Sequence, residues 1–280
     1  MEATLTFLGS GTSMGVPTLG CGCAVCVSAT PAGLYMAPAV PRNRRTRPSV
    51  MIEWGGHTVV IDTGPDFHAQ AIREGLRQVD AVLYTHGHAD HVLGMDDLRP
   101  LTFRHAGGVP LYADAPTADT IERVFDYTFR KQNRYPTSAR VNLIRIPAEP
   151  GAEIDLFGVR FLRVPVIHGK EEITGYRFGA AAYLTDLSDV PDSALDLLRD
   201  LDVLILDALR PSPHPSHSHL SKSVAIAEQL AANRTFFTHM GHELDHDATE
   251  AILPAGMKLA YDGLRLQFEI ARDRAEGGEA

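Results

Sequence analysis

The sequence predicts an α/β fold whose functional residues gather at one edge of its sheets. Short apolar runs alternate with Gly/Pro-rich turns and with segments of helical spacing. The apolar runs also end repeatedly in histidine or aspartate. Ile61 is followed by Asp62, Tyr84 by Thr85 and His86, and Ile167 by His168. Leu184 leads to Asp186, Leu206 to Asp207 and Thr238 to His239. Strand ends are where α/β folds collect ligand-binding groups, so this repetition points to one shared site.

In chain order, residues 5–8 read as a first strand, closed by the turn Gly9-Ser10-Gly11-Thr12-Ser13-Met14-Gly15. Residues 27–48 carry few apolar periodicities and many Pro and Arg, and are expected to be an irregular excursion. The runs 50–54 and 58–61 form a hairpin across Gly55-Gly56, followed by a short helix over 67–75. Residues 81–84 are a buried strand. Residues 117–131 have helical spacing, with Ile121, Val124, Phe125 and Phe129 on one face, a stripe suited to the core or a dimer contact.

The second half repeats this style. Strands are expected at 159–164, leading on to 166–168, and at 176–178, 181–184, 203–206 and 235–238, with helices at 193–199 and 222–230. A chain of 280 residues with 44% hydrophobic content buries a sizeable core. With no linker-like or repeated tract, one domain over 1–280 is expected, carrying the excursion at about 18–48.

The formal net charge is −9, from 26 Lys+Arg against 35 Asp+Glu. That balance argues against binding extended nucleic acid, so an anionic substrate must be attracted locally, by metal ions or a few arginines. The segment Met1-Glu2-Ala3-Thr4-Leu5-Thr6-Phe7-Leu8 alternates like a strand and is not read as a signal peptide. No apolar run reaches the roughly 18 residues a membrane span needs. A cytoplasmic protein without a membrane partner is expected.

The most specific motif is His86-Gly87-His88-Ala89-Asp90-His91. Imidazole nitrogens and a carboxylate suit borderline divalent metals, and a strand-to-loop exit lets them converge. All three cysteines fall in Cys21-Gly22-Cys23-Ala24-Val25-Cys26. An odd number so closely spaced is no disulfide framework. It is a knuckle able to aim three thiolates at one ion, with a fourth ligand, most often histidine, from elsewhere. Three reduced structural cysteines are the alternative.

Taken together these residues resemble the metallo-β-lactamase superfamily over nearly the whole chain. The resemblance implies an αββα sandwich of two mixed sheets flanked by helices, with metal at a shared edge. It implies one ion on His86, His88 and His168, a second on Asp90, His91 and His239, and Asp186 bridging both. Asp62, in Asp-Thr-Gly, matches a position that supports these ligands from behind.

A narrower resemblance is to the PhnP-like phosphodiesterases, the phosphoribosyl cyclic phosphate hydrolases and their relatives. It is carried by Gly9-Ser10-Gly11-Thr12-Ser13, by the cysteine knuckle, by Asn43-Arg44-Arg45-Thr46-Arg47 and by Asp96-Asp97-Leu98-Arg99-Pro100. In that branch the knuckle zinc takes a histidine three residues after the last catalytic-metal histidine, which is His242 here.

The branch implies two divalent catalytic metals, Zn or Mn, and one structural Zn held by Cys21, Cys23, Cys26 and His242. It implies attack by metal-bound hydroxide on a small, including cyclic, phosphodiester. Asp90 is counted among the catalytic residues. His217, in Pro213-His214-Pro215-Ser216-His217-Ser218-His219, is expected to be the general acid, with His219 as the alternative. Arg44 and Arg45 are candidate phosphate forks, and Ser10 and Thr12 candidate phosphate donors. A tRNase Z-like nuclease, a thioester or lactam hydrolase and a PQQ-biosynthesis-type metal carrier are the competing readings. A homodimer is compatible with the branch.

Overall fold

The computed structural model describes residues 1–29, 42–103, 105, 107–130, 132 and 135–270. The first half supplies β1 (Glu2–Gly9), β2 (Ser49–Trp54), β3 (His57–Ile61), β4 (Ala81–Leu83), β5 (Val109–Ala113) and β6 (Val141–Arg145). The second half supplies β7 (Glu153–Leu156), β8 (Val159–His168), β9 (Glu171–Phe178), β10 (Ala181–Leu184), β11 (Val203–Asp207), β12 (Arg234–Thr238), β13 (Met257–Leu259) and β14 (Arg265–Glu269).

These strands form two seven-stranded mixed sheets, ordered β14-β1-β2-β3-β4-β5-β6 and β13-β12-β11-β10-β9-β8-β7. Each sheet is antiparallel on one side and parallel on the other. Successive strand residues point to opposite faces, which sorts the apolar residues into three layers. Leu5, Phe7, Ile52, Val59, Ile61 and Leu83 meet Phe161, Tyr176, Phe178, Tyr183, Val203 and Ile205 between the sheets. Their neighbours Leu8, Met51, Val60, Val82 and Tyr84 turn outward beneath Phe67, Ala118 and Ile121 of two helices. On the other sheet Ala182, Leu184, Leu204 and Leu206 turn outward beneath Ala194, Ile226 and Ala227. Both faces of the central strands are covered, which is why β4, β10 and β11 read as unbroken apolar runs rather than alternations.

This is the αββα sandwich, with helices on both outer faces. One helix departs from its expected bounds, and two other segments gain detail. The helix expected over 117–131 starts earlier and breaks. Asp114 caps it by accepting from Thr117 N at 3.0 Å, and Ala115–Val124 ends at Phe125, where φ is −109° and ψ 39°. A separate turn, Asp126–Phe129, follows, and Val124 faces solvent instead of joining the apolar stripe. The run 159–164 and its continuation 166–168 form one strand, β8, through Pro165. Beyond Leu162 it has lost β7 as a neighbour, so the missing N–H of Pro165 breaks no β7–β8 bond. In the 27–48 excursion, residues 30–41 lie outside the described residues; Cys23 caps the short helix Ala24–Ser28 before them. Among the described residues no helix is long and apolar enough to cross a membrane.

Candidate metal centre

The parallel strands β3, β4, β10, β11 and β12 finish at one edge, and the chain turns sharply there to aim polar side chains inward. Asp62, Asp186 and His239 each adopt a left-handed backbone, with φ of 64°, 56° and 58°. That conformation is uncommon outside glycine, least so for aspartate, and its recurrence at three strand exits marks the site.

Asp62 organises the loop after β4. Its carboxylate accepts from Thr85 N and Thr85 Oγ1, each at 2.8 Å, and from His91 Nδ1 at 2.8 Å. A carboxylate only accepts, so Nδ1 of His91 carries the proton and Nε2 presents its lone pair. Gly87 lets this loop press against the helix Ala115–Val124: a Cβ there would meet Thr120 at 3.1 Å.

Two groups of metal-competent atoms result. In one, His86 Nε2 and His88 Nδ1 lie 2.9 Å apart, with His168 completing the group. Ser216 O accepts from His168 Nδ1 at 2.8 Å, which frees the other nitrogen. The second comprises Asp90, His91, Asp186 and His239. Asp186 Oδ2 lies 3.1 Å from His91 Nε2, and Asp186 Oδ1 lies 3.0 Å from His239 Nε2 and 4.0 Å from His86 Nε2. Asp90 Oδ2 is 3.3 Å from His91 Nε2 and 3.6 Å from His239 Nε2.

These atoms suit a divalent cation. Asp90 Oδ2, His91 Nε2 and His239 Nε2 are buried without a hydrogen-bond partner. Their spacings match the roughly 3.4 Å edge set by ligand bonds of about 2.0–2.2 Å in a tetrahedron. The electrostatics agree. Burial disfavours charge on His91, but the carboxylates of Asp186, Asp90 and Asp62 outweigh it and hold its pKa well above the ordinary value. Burial is likewise outweighed at His239, chiefly by Asp186, and its pKa rises to about 10. The site demands positive charge.

His217 joins this centre and His219 does not. His217 Nδ1 donates to Asp207 Oδ2 at 3.0 Å, its ring stacks 4.8 Å from His239, and it groups with His168 and Asp186. Burial, then the charge on His239, depress its pKa to about 4. His219 instead occupies the position just before the helix Leu220–Leu230, where its side chain makes no capping bond. Asp207 belongs to the site as well. It ended a predicted strand, yet nothing in its local sequence separates it from a polar strand terminus.

The knuckle assembles at a distance. His242 Nδ1 lies 3.2, 3.4 and 3.5 Å from the Sγ atoms of Cys21, Cys23 and Cys26. Thr18 N donates to Cys26 Sγ at 3.3 Å and Cys26 N to Cys23 Sγ at 3.4 Å. The bond from Cys26 N, then that from His242, draws the Cys23 pKa down to about 6, while burial raises that of Cys26 to about 11.

The phosphate contacts expected from the first turn are corrected. Ser10 is fully buried and its N and Oγ donate to Asp262 Oδ1 at 3.0 and 2.9 Å. Thr12 is buried, with its N bonded to Met240 O. Arg45 is 1% exposed and donates to Gly241 O, and Arg44 is half-buried and already engaged. The glycines explain this: a Cβ on Gly9 would meet Arg47 O at 1.9 Å, and one on Gly11 would meet Arg45 O at 2.7 Å. The turn packs against the 45–47 segment instead of cradling an anion. A cavity of about 360 Å³ does open beside His86 and His88, lined by Asp114, Thr117, Thr120, Arg123 and Glu171.

The fold and this centre define an αββα domain whose donor set suits divalent metal. Residues 57–240 match the beta-lactamase superfamily domain, and the chain belongs to the metallo-β-lactamase superfamily, in a PhnP-like branch. A crystal structure described as a new diphosphatase from the PhnP family is 53% identical, with a TM-score of 0.87, covering 96% of this chain and 98% of its own. An octanoyltransferase of Porphyromonas gingivalis is 34% identical over 260 residues, 92% of this chain but 50% of its own length. This chain thus spans half of that relative. A ribonuclease Z of Bradyrhizobium diazoefficiens is 28% identical over 248 residues, 78% of each chain.

Asp62→Asn keeps one oxygen for Thr85 N but puts an amide donor where His91 Nδ1 and Thr85 Oγ1 need an acceptor. Divalent-metal affinity, measured by competition with a chromogenic chelator, is expected to fall about 10–100-fold. Wild-type affinity in that variant would show that Asp62 does not orient the ligands.

Proposed function

We propose that the chain is a dinuclear metal-dependent phosphodiesterase acting on small, including cyclic, phosphodiesters or diphosphate diesters. The observation that carries this reading is the Asp186 carboxylate, within 3.0–4.0 Å of His86, His91 and His239 and so between both ligand groups. His86, His88 and His168 would hold one ion, Asp90, His91 and His239 the other, with Asp186 on both. Zinc or manganese in these positions would supply Lewis acidity toward a phosphoryl group and a nucleophile at neutral pH.

The chain's own residues do the rest. Asp62 and Ser216 O fix the tautomers of His91 and His168, so that lone pairs face the centre. Asp207 holds His217 by Nδ1, and the other ring nitrogen, unprotonated at neutral pH given the depressed pKa, would take up the proton released by the attacking water and pass it to the departing alkoxide. The Asp207–His217 pair stands beside both ligand groups, as a leaving-group acid must. The cavity beside His86 and His88, about 360 Å³ and walled by Asp114, Glu171, Glu172 and Arg123, is of small-molecule size, and a net charge of −9 disfavours a polyanion. The PhnP-family diphosphatase at 53% identity supports cleavage of a phosphorus–oxygen bond.

Cys21, Cys23, Cys26 and His242 hold a structural zinc in this reading. Ligand bonds of about 2.3 Å to sulfur and 2.0–2.1 Å to nitrogen set an edge of roughly 3.6 Å. The observed contacts of 3.2–3.5 Å fit it.

Elemental analysis alongside hydrolysis of bis(p-nitrophenyl) phosphate and 2′,3′-cyclic AMP tests the reading. About three metals per chain and turnover of both esters are expected. Asp186→Ala should abolish turnover and deplete the catalytic pair, whereas Cys23→Ser should lose the third metal and thermal stability while retaining most turnover. Full activity of Asp186→Ala, or cleavage of tRNA precursors alone, would overturn it. His217→Ala should slow the cyclic nucleotide far more than the activated aryl ester. Equal losses on the two esters would remove His217 as the acid.

A further inference from the structure

Asp207 is fully buried, yet its two carboxylate oxygens are unequally engaged. Oδ2 accepts from His217 Nδ1 at 3.0 Å, whereas Oδ1 is buried without a hydrogen-bond partner. Facing Oδ1 at 3.8 Å is His239 Nδ1, which is also buried without a partner. The gap exceeds the usual N–H···O limit of roughly 3.2 Å by only about 0.6 Å. Leaving a buried donor and a buried acceptor unmatched is costly, and a small rotation of the His239 ring would pair them.

His239 needs that oxygen for a chemical reason. Its Nε2 faces Asp186 and Asp90, so this atom offers the lone pair to a cation and Nδ1 must carry the proton. The other buried ligand histidines each have an acceptor behind them. Asp62 serves His91, Ser216 O serves His168 and Thr85 Oγ1 serves His86. Among the described residues, Asp207 Oδ1 is the carboxylate oxygen left for His239.

Backbone pairing delivers both rings to this one carboxylate. Asp207 ends β11 opposite Thr238 of β12, and Ala208 N bonds Thr238 O at 3.0 Å, so His239 emerges beside it. The loop carrying His217 is pinned separately, by Ser218 N to Leu187 O at 2.6 Å and Leu209 N to Ser218 O at 2.9 Å. The two imidazoles lie nearly parallel, 4.8 Å apart with 10° between their planes. Their Nδ1 atoms face different oxygens of Asp207.

We propose that Asp207 is a positioning residue shared by the metal ligand His239 and by His217, one oxygen holding each imidazole as its Nδ1–H tautomer. The carboxylate that aims His239 Nε2 at the metal position thereby also aims His217 Nε2 at the departing group. This rests on the dinuclear reading proposed above.

Asp207→Asn and His217→Ala in the full chain test it. An amide keeps one acceptor oxygen and turns a donor toward the second imidazole, so it cannot serve both histidines. Divalent-metal affinity, measured with a chromogenic chelator, is expected to fall about 10–100-fold in Asp207→Asn and to stay within about threefold of wild type in His217→Ala. At saturating metal, Asp207→Asn should also reproduce the selective loss of 2′,3′-cyclic AMP turnover expected of His217→Ala. The double variant should be no more selective than His217→Ala alone. Wild-type metal affinity in Asp207→Asn, or an equal loss of affinity in His217→Ala, overturns the proposal. If Asp207→Asn does not fold, NMR of the zinc-loaded chain with ring-labelled histidine decides. Carboxylate-bound Nδ1–H resonances are expected from His91, His217 and His239, and His217→Ala should leave those of His91 and His239. Survival of the His91 resonance alone overturns the proposal. A wild type that turns over neither ester refutes the phosphodiesterase reading, a separate failure that leaves the affinity test to decide the role of Asp207.

Discussion

Four carboxylates, Asp62, Asp90, Asp186 and Asp207, are buried within one cluster at the edge of the sandwich, and only imidazoles face them as ion-pair partners among the described residues. Removing that much negative charge from water demands positive charge in return. Much of the local architecture follows from this demand. The histidines stand on the inner side of the carboxylates, while Asp62 and Asp207 grip ring nitrogens from behind. The same arrangement makes protons and metal ions rivals for one position, since the groups that raise the pKa of His91 and His239 are the groups that would bind a cation.

The sandwich makes this concentration tolerable. Apolar layers above, between and below the sheets fix the strands, so their ends arrive at the edge with little freedom. Left-handed turns at Asp62, Asp186 and His239 then redirect side chains that an extended exit would send elsewhere. The strain is local, and the packing of the strands behind it is what holds it in place.

Much of this was legible in the sequence because it is encoded by local pattern. Unbroken apolar runs marked the central strands, and the His/Asp residues at their ends marked the edge. The narrow strands β5, β6, β7, β13 and β14 were not legible, since three to five residues of mixed polarity carry little periodicity of their own and depend on neighbours for their pairing. The helix break at Phe125 likewise follows from packing. Among site residues, the compact His86–His91 motif was transparent, whereas the role of Asp207 depends on which strands lie beside it. Ser10, Thr12 and Arg45 misled for a related reason: a glycine-rich turn and a basic run read alike whether they face solvent, a ligand or the interior. Burial decided it, and burial at 9–12 and 45 is set by contacts with residues 240–262.

Those long separations have a consequence for how the molecule is made. Asp90 and His91 sit in the first third of the chain, but the group they join closes only with His239, and the cysteines at 21–26 wait for His242. β1 gains β14 as a neighbour later still. During synthesis, a ribosome that has delivered half the chain exposes thiols and imidazoles with incomplete partners, open to the wrong metal or to oxidation. Completion of both centres waits for the 239–242 segment, and when it emerges both sites close almost together.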